Sequence, residues 1–231
     1  DVAYSVLMIN GEERAAKYLL ALNPHRETTI EESTENKPTF IIPEVPRMSP
    51  EERDMFEKYL KKAKFYYEFG SGGSTKLATR HGVEVFGVES DKFWVETLHK
   101  EAGPLCKVDY VDIGPTKEWG YPVDETNNDK FPDYSEAIMR YENRFDVILI
   151  DGRFRVACTL NAIRHTLKHQ SSKQKTLIII HDFWNRPNYH VVLRFLDVVD
   201  SAESLGVFKI KKKIDLKHLV EKLEEYKYVT A

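Results

Sequence analysis

Two acids and a group of glycines are the residues of this sequence with the clearest chemical meaning. Glu68 precedes the glycine-rich segment 70–73, and Glu89 ends the next apolar run, about twenty residues further on. Glycine permits a tight turn with positive φ and lets the backbone approach a ligand closely. A carboxylate at the tip of the second strand can accept hydrogen bonds from both hydroxyls of a ribose. The spacing therefore predicts a site for a cofactor that contains adenosine.

The glycine positions and Glu68 bear on which adenosine cofactor binds. The dinucleotide fingerprint has glycine at its first, third and sixth positions, but counting from Gly70 the third is Gly72 and the sixth is Thr75. The carboxylate of Glu68 suits a cofactor with a positive amino group and repels a pyrophosphate. S-adenosylmethionine carries an amino group, a sulfonium and a ribose, and it has no phosphate. The residues thus favour S-adenosylmethionine. A nicotinamide or flavin cofactor, and a corner that binds nothing, stay open as alternatives.

Three further polar residues, Asp151, His181 and Asp182, directly follow two strongly apolar runs. Ligands of an open α/β sheet bind at the carboxyl ends of its strands, so we expect these side chains at one edge. Two carboxylates and an imidazole can bind a divalent cation or transfer a proton. The structural alternatives are that both aspartates cap turns and that His181 is a hydrogen-bonded core residue. The presence of all three at neighbouring strand ends favours a functional role.

Arginines and aromatic residues surround these strand ends in the sequence. Arg153 and Arg155 follow the first aspartate, and their forked donors suit the carboxylate or phosphate of an anionic substrate. The alternative for one of the two is an internal ion pair with Asp151 or Glu89. Aromatic side chains further along can cradle a sugar ring or a planar group. The predicted substrate-binding residues are Arg153, Arg155, Trp184 and Tyr189.

The segment Glu68-Phe-Gly-Ser-Gly-Gly-Ser-Thr resembles the first motif of the class I S-adenosylmethionine-dependent methyltransferases. Together with the segments that begin at Asp112, Asp151 and His181, it resembles a little-characterised branch of methyltransferase-like proteins. The resemblance implies that the amino group of the cofactor meets Glu68 and the glycine-rich turn, its ribose Glu89, and its adenine the start of the segment after Asp112. The predicted cofactor-binding residues are Glu68, Gly70, Ser71, Gly72, Gly73, Ser74, Glu89, Ser90, Asp112, Ile113 and Asp151.

The strand-end acids are also similar to those of metal-dependent O-methyltransferases of the catechol and macrolide-sugar type. That resemblance implies a divalent metal held by Asp151, His181 and Asp182. Two residues depart from the pattern: imidazole is a poor ligand for Mg²⁺, and Phe154 stands where the catechol type has a lysine base. His181 as general base is therefore an alternative to the metal, since its ordinary pKa lies near neutrality. We predict His181, Asp151 and Arg153 as the catalytic residues.

Alternating strand and helix patterns must position these residues. They predict an α/β fold with a doubly wound, mostly parallel, seven-stranded type of sheet and helices on both faces. The predicted strands are 65–69, 83–88, 106–111, 145–150, 176–181 and 205–211, with a last strand segment at 228–230. The predicted helices are 74–81, 91–101, 155–169, 188–199 and 215–226, preceded by one that opens at Ser49 and Pro50.

Two segments lie outside this alternation. Residues 1–48 are predicted as an N-terminal helical and extended extension, with a helix at 12–22, and residues 49–231 as the Rossmann-like domain. Residues 112–144 form an unusually long connection, which is typical of a functional loop or a solvated insertion. We expect its start to line the adenine and its remainder to cover the substrate as a lid.

Composition limits the partners. The 231 residues are 42% apolar and 31% charged with a net charge of −3, so the chain has no basic field that favours nucleic acid. No apolar stretch is long enough to span a bilayer. The two cysteines, Cys106 and Cys158, lie in apolar patterns and are expected as buried free thiols in a reducing, cytoplasmic setting. We expect a small-molecule substrate and leave a homo-oligomer open.

The combined hypothesis is an S-adenosylmethionine-dependent methyltransferase that acts on an oxygen of a small polar, anionic or sugar-like molecule. A nicotinamide-dependent oxidoreductase is the second hypothesis, and Thr75 and Glu68 count against it. A cofactor-binding module without catalysis is the third.

Overall fold

The computed structural model of the protein describes residues 41–169 and 176–230. Within them, seven strands form one sheet in the order β3-β2-β1-β4-β5-β7-β6. The strands are β1 (Phe65–Phe69), β2 (Glu84–Glu89), β3 (Cys106–Tyr110), β4 (Val147–Ile150), β5 (Leu177–Ile180), β6 (Leu196–Ala202) and β7 (Leu205–Ile210). The helices are α1 (Pro50–Leu60), α2 (Gly73–Arg80), α3 (Lys92–Ala102), α4 (Phe131–Glu136), α5 (Arg155–His169) and α6 (Leu216–Tyr226).

The strand order reverses between β1 and β4, which places a crevice at their carboxyl ends. Phe69, the last residue of β1, pairs with Val88 of β2 and with Ile150 of β4. The residues that follow these three strands therefore lie side by side at one edge. Five strands are parallel neighbours in the order β3-β2-β1-β4-β5, and β7 runs antiparallel to both β5 and β6. The predicted fold class is confirmed.

Apolar side chains cover both faces of the sheet, because successive residues of a strand point to opposite sides. Tyr67 and Phe69 lie in one buried cluster with the core-facing side of α5. Tyr66 lies in a second cluster with Phe56 of α1 and Leu77 of α2. Helices thus cover both faces, as predicted.

One predicted helix is wrong in its second half. Residues 188–199 have helical spacing, but the structure has a 3₁₀ segment at Pro187–Arg194 and then β6 at Leu196–Ala202. Pairing with β7 satisfies the backbone of this segment at the sheet edge, and tertiary pairing overrides local pattern there. The predicted strand at 228–230 is also wrong, since these residues form no strand after α6.

The long connection 112–144 is only partly a loop. Its second half folds into short helical segments, Asn128–Lys130, α4 and Ala137–Arg140. Phe131, Tyr134 and Ile138 of this half are buried in the core, so only residues 112–127 can act as a cover.

Residues 41–48 pack against the domain rather than leading away from it. Ile42 is fully buried, and the Arg47 guanidinium lies 4.6 Å from the ring centre of Trp119 in the long connection. The predicted helix at 12–22 and the rest of the extension up to residue 40 lie outside the described residues, and the predicted domain boundary at 49 stays a prediction.

The predicted opening of α1 is present, because Ser49 and Glu52 form a capping box at its start. Cys106 and Cys158 are both buried free thiols, as predicted. Across residues 41–169 and 176–230, no helix combines the length and apolarity needed to cross a membrane.

Candidate active site

The turn after β1 is constrained by close backbone contacts. Gly70 has a φ of +83°, and a Cβ at this position would lie 2.7 Å from the Cα of Gly152 in the turn after β4. A Cβ on Gly73 would lie 2.8 Å from the backbone nitrogen of Pro46. Gly72 is the N-cap of α2 and its N–H donates to the Thr75 hydroxyl at 3.0 Å. Glycine is needed at these positions because the backbone at Gly152 and at Pro46 packs directly against the turn.

Glu68 lies beneath this turn and is fully buried. Its Oε2 accepts hydrogen bonds from the hydroxyls of Tyr66 at 2.9 Å and Ser74 at 2.6 Å, and its Oε1 accepts one from Thr75. Burial raises the pKa of Glu68 to about 7, against the effect of these hydroxyls. The structure therefore places Glu68 as a support that orients the turn, with no carboxylate oxygen exposed to a ligand in this arrangement.

Glu89 ends β2 and binds the turn from the other side. Its Oε2 accepts from the Ser71 N–H at 3.1 Å, and its Oε1 accepts from the N–H of Ser90 at 2.6 Å. Burial raises the pKa of Glu89, whereas these two N–H groups lower it. Because Oε2 accepts a single bond, it keeps an acceptor position for a ligand hydroxyl. The geometry suits the predicted contact with a ribose.

The residues after β3 divide into one buried and one exposed side chain. Ile113 is buried, while the Asp112 carboxylate pairs with Lys130 at 2.6 Å and accepts from the Gly114 N–H at 2.9 Å. The hydrogen bond from Lys130 is the main reason that the pKa of Asp112 lies below its ordinary value. Asp112 thus fixes the start of the long connection to its middle, beside the predicted adenine wall.

At the ends of β4 and β5, Asp151 and His181 meet a third acid, Glu52 of α1. His181 Nδ1 lies 2.9 Å from Asp151 Oδ1, and His181 Nε2 lies 3.4 Å from Glu52 Oε2. Glu52 is buried and also accepts from the N–H and the hydroxyl of Ser204. Burial lowers the pKa of His181, but the hydrogen bond and charge of Asp151 outweigh it, so the pKa is raised. An imidazole with both nitrogens on carboxylates has no lone pair directed at a substrate.

The raised pKa of His181 predicts a specific dependence of stability on pH. The protonated imidazole stabilises the fold fully below its ordinary pKa of about 6.5, and that contribution is lost as pH rises through the higher folded value. The free energy of unfolding should therefore fall from about pH 6.5 upwards in the wild type, and this component of the fall should be absent in His181→Gln. Urea denaturation at several pH values measures it, and parallel curves for the two proteins would contradict it.

Arg155 lies between the two predicted metal-ligand aspartates. Its guanidinium is 3.1 Å from Asp151 Oδ1 and 3.3 Å from Asp182 Oδ2, and only 4% of the residue is exposed. It also donates to the carbonyl oxygens of His181 and Gly152. The internal pairing considered for one of the two arginines is therefore seen for Arg155.

Arg153 differs from Arg155 because it has no such partners. It is 6% exposed, and its Nε and Nη1 have no hydrogen-bond partner among the described residues. Its guanidinium stacks 4.0 Å from the ring centre of Tyr121. A buried guanidinium with unsatisfied donors is costly unless a ligand completes it.

The two predicted aromatic rim residues are mostly packed inward. Tyr189 is 2% exposed and lies between Arg155 and Arg186. Trp184 packs against the core, with its ring 4.9 Å from that of Phe183. Their predicted roles toward a substrate stay predictions.

The fold has counterparts among solved structures. A methyltransferase-like protein from Silicibacter pomeroyi DSS-3 is 29% identical over 82% of this chain and 100% of that one, with a TM-score of 0.69. This likeness confirms the predicted resemblance to the class I methyltransferases. An RNA methyltransferase from Salinibacter ruber, in complex with S-adenosyl-L-homocysteine, is 19% identical over 74% of this chain and 96% of its own, with a TM-score of 0.43. A TehB-like SAM-dependent methyltransferase from Corynebacterium glutamicum ATCC 13032 is 14% identical over 68% of this chain and 88% of its own, with a TM-score of 0.40.

No protein-family model and no curated protein matches the chain. The likeness to the Silicibacter pomeroyi protein confirms the predicted class of enzyme, a methyltransferase that uses S-adenosylmethionine. The residues around the glycine-rich turn fit this cofactor. Glu89 Oε2 can accept a hydrogen bond from a ribose hydroxyl, and the turn has no room for a side chain at Gly70 or Gly73.

The residues predicted to bind a divalent metal do not fit one in this methyltransferase. Within residues 41–169 and 176–230, no group of three His, Cys, Asp or Glu side chains is arranged to hold a metal ion. The cation between Asp151 and Asp182 is Arg155, and both nitrogens of His181 are directed at carboxylates.

Sequence reasoning missed two residues of this site. Glu52 carried only the signal of an acid in the first turn of a helix, which gives no indication of a contact with a residue 152 positions away. Tyr121 was one aromatic among several in the long connection. Its nearness to Arg153 depends on how that connection folds.

Proposed function

We propose that this methyltransferase transfers a methyl group from S-adenosylmethionine to an oxygen of a small anionic molecule. Bound cofactor supplies an electrophilic methyl group on a sulfonium. Glu89 and the turn that contains Gly70 hold the cofactor, and the ends of β4 and β5 hold the acceptor. The contribution of these residues to the rate is mainly the alignment of the acceptor oxygen with the methyl group.

The observation that carries the proposal is the buried guanidinium of Arg153 with its unpartnered Nε and Nη1. A guanidinium presents parallel N–H donors that match two oxygens of a carboxylate or phosphate. Gly152 places Arg153 directly after the turn that touches Gly70. An anionic acceptor paired with Arg153 would therefore lie next to the cofactor turn.

Transfer from radiolabelled S-adenosylmethionine tests the proposal, with hydroxy acids, sugar acids, phosphorylated sugars and total RNA as acceptors. We expect label in an anionic small molecule, with and without a chelator of divalent metals. Label in RNA alone would overturn the small-molecule acceptor, and no label in any pool would overturn the proposed function.

The variant Arg153→Gln tests the anion contact. A hydrogen bond to a charged group contributes about 1.5–3 kcal/mol, so the KM for an anionic acceptor should rise about 10- to 100-fold. Cofactor affinity, measured by calorimetry, should stay near that of the wild type. Arg194→Gln removes an exposed arginine and is the control. An unchanged KM in Arg153→Gln would contradict the contact.

A further inference from the structure

Tyr121 is held in place by a tight turn in the long connection. The Lys117 N–H donates to the Tyr121 carbonyl oxygen at 2.7 Å, and the Gly120 N–H donates to the Lys117 carbonyl oxygen at 3.1 Å. An antiparallel bridge between Thr116 and Pro122 closes the turn. The backbone of Tyr121 is therefore fixed, and its ring packs on the Arg153 guanidinium.

The same turn reaches both parts of the site. A Cβ on Gly120 would lie 3.4 Å from the hydroxyl oxygen of Ser90, at the end of β2, and 3.9 Å from Cγ of Arg153. The residue next to Gly120 is Tyr121, whose ring stacks on the Arg153 guanidinium. The turn thus spans from Ser90 at the end of β2 to Arg153, and Tyr121 contacts the proposed acceptor site through Arg153.

Two arginines face Tyr121 from two strand ends. Arg153 follows β4 and stacks on Tyr121, and Arg186 follows β5 and places a second positive charge near Tyr121. Arg186 Nη2 forms an ion pair with Asp182 Oδ2 at 3.0 Å, and Arg186 Nη1 donates to the Tyr189 hydroxyl at 3.4 Å. On the turn itself, the charged neighbours are the exposed Lys117 and Glu118. Burial raises the pKa of Tyr121, but the neighbouring Arg153 and Arg186 outweigh it, so the pKa is lowered.

Other acid–base groups at these strand ends are already engaged. His181 lies between Asp151 and Glu52, and Asp182 pairs with Arg155 and Arg186. A base must reach the acceptor proton directly or through one water. Among these residues, Tyr121 combines a fixed position, partial exposure and a neighbourhood that stabilises its anion.

We propose that Tyr121 is the catalytic base that accepts the proton of the acceptor hydroxyl, a role that rests on the proposed function. The phenolate oxygen takes the hydroxyl proton as the acceptor oxygen forms its bond to the methyl carbon. The carbon–sulfur bond breaks, and its electron pair stays on sulfur as a neutral thioether. The Tyr121 proton then returns to solvent, so that charge and atoms balance over one turnover.

The first experiment needs no acceptor. Phenolate absorbance in the near ultraviolet is titrated for the wild type, for Tyr121→Phe and for the control Tyr228→Phe, which removes an exposed tyrosine. We expect a phenol that titrates below the ordinary value of about 10 in the wild type and in Tyr228→Phe but not in Tyr121→Phe. A phenol with a lowered pKa in all three proteins, or in none of them, would overturn the proposal.

The second experiment separates the base from the proposed function. Calorimetry should give Tyr121→Phe wild-type affinity for S-adenosylmethionine, and its kcat on the labelled acceptor should fall by at least about 100-fold at neutral pH, since a general base contributes this much or more. Wild-type kcat in Tyr121→Phe overturns the base but leaves the methyltransferase intact. Absence of transfer by the wild type overturns the proposed function and the base together.

Discussion

Replacing Glu89 with alanine should weaken the binding of S-adenosylmethionine by about 100-fold or more. The carboxylate would accept ribose hydroxyls, and each hydrogen bond to a charged group contributes about 1.5–3 kcal/mol. The same substitution leaves the N–H groups of Ser71 and Ser90 without their acceptor, so the turn loses its fixed shape. Isothermal titration of S-adenosylmethionine and S-adenosylhomocysteine measures the change.

Two comparisons make the result specific. Glu221→Ala removes an exposed acid of α6 and should bind like the wild type. NAD(H) should bind neither protein, and binding of NAD(H) to the wild type in place of S-adenosylmethionine would move the assignment to an oxidoreductase. Equal affinity of Glu89→Ala and wild type for S-adenosylmethionine would remove Glu89 from the cofactor site.

Replacing Gly70 with alanine should lower the free energy of unfolding by about 3 kcal/mol. Positive φ at a residue with a Cβ costs about 1–2 kcal/mol, and forcing an extra carbon into packed structure costs about 1–3 kcal/mol. Here the new carbon would meet backbone atoms of Gly152 at 2.7 Å, and backbone cannot move aside as a flexible side chain can. Denaturant unfolding gives the difference.

Gly82 provides the matched control for this glycine. It has a similar φ of +73°, but a Cβ there would have no atom within 4 Å. Gly82→Ala therefore isolates the backbone cost and should lose only about 1–2 kcal/mol. If both variants lost the same stability, the contact between the turns after β1 and β4 would contribute nothing.

The parallel half of the sheet was predictable because its strands are short apolar runs between helical patterns. β1 matches its predicted bounds of 65–69, and β4 and β5 begin and end within two residues of theirs. β6 was not predictable in this way. Its residues are mostly exposed, and its sequence Leu-Asp-Val-Val-Asp-Ser-Ala has no clear period of two. Only its pairing with β7 makes it a strand.

For the candidate site, the positions of residues were easier to predict from the sequence than their roles. Glu89, Asp151 and His181 could be placed at one edge from the sequence because the strand ends of a parallel sheet share an edge. Their roles were harder to predict, because a role depends on partners. Arg153 and Arg155 stand two positions apart in the sequence, yet one is paired with two aspartates and the other has unpartnered donors.

The bonds of Glu52 also bear on how the protein is made. The Glu52 carboxylate accepts hydrogen bonds from Ser204, which lies 152 residues further along the chain. A second contact between α1 and β6 is the ion pair of Lys58 with Asp200. At a synthesis rate of about 5–20 residues per second, Ser204 emerges from the ribosome roughly 8–30 s after Glu52. Until then the Glu52 carboxylate has no hydrogen bond from Ser204, and the sheet that positions His181 beside α1 is incomplete. The network around Glu52 is therefore completed late in biosynthesis, and a nascent chain that stops before the β6–β7 hairpin contains Glu52 and His181 without the hydrogen bonds from Ser204 to Glu52.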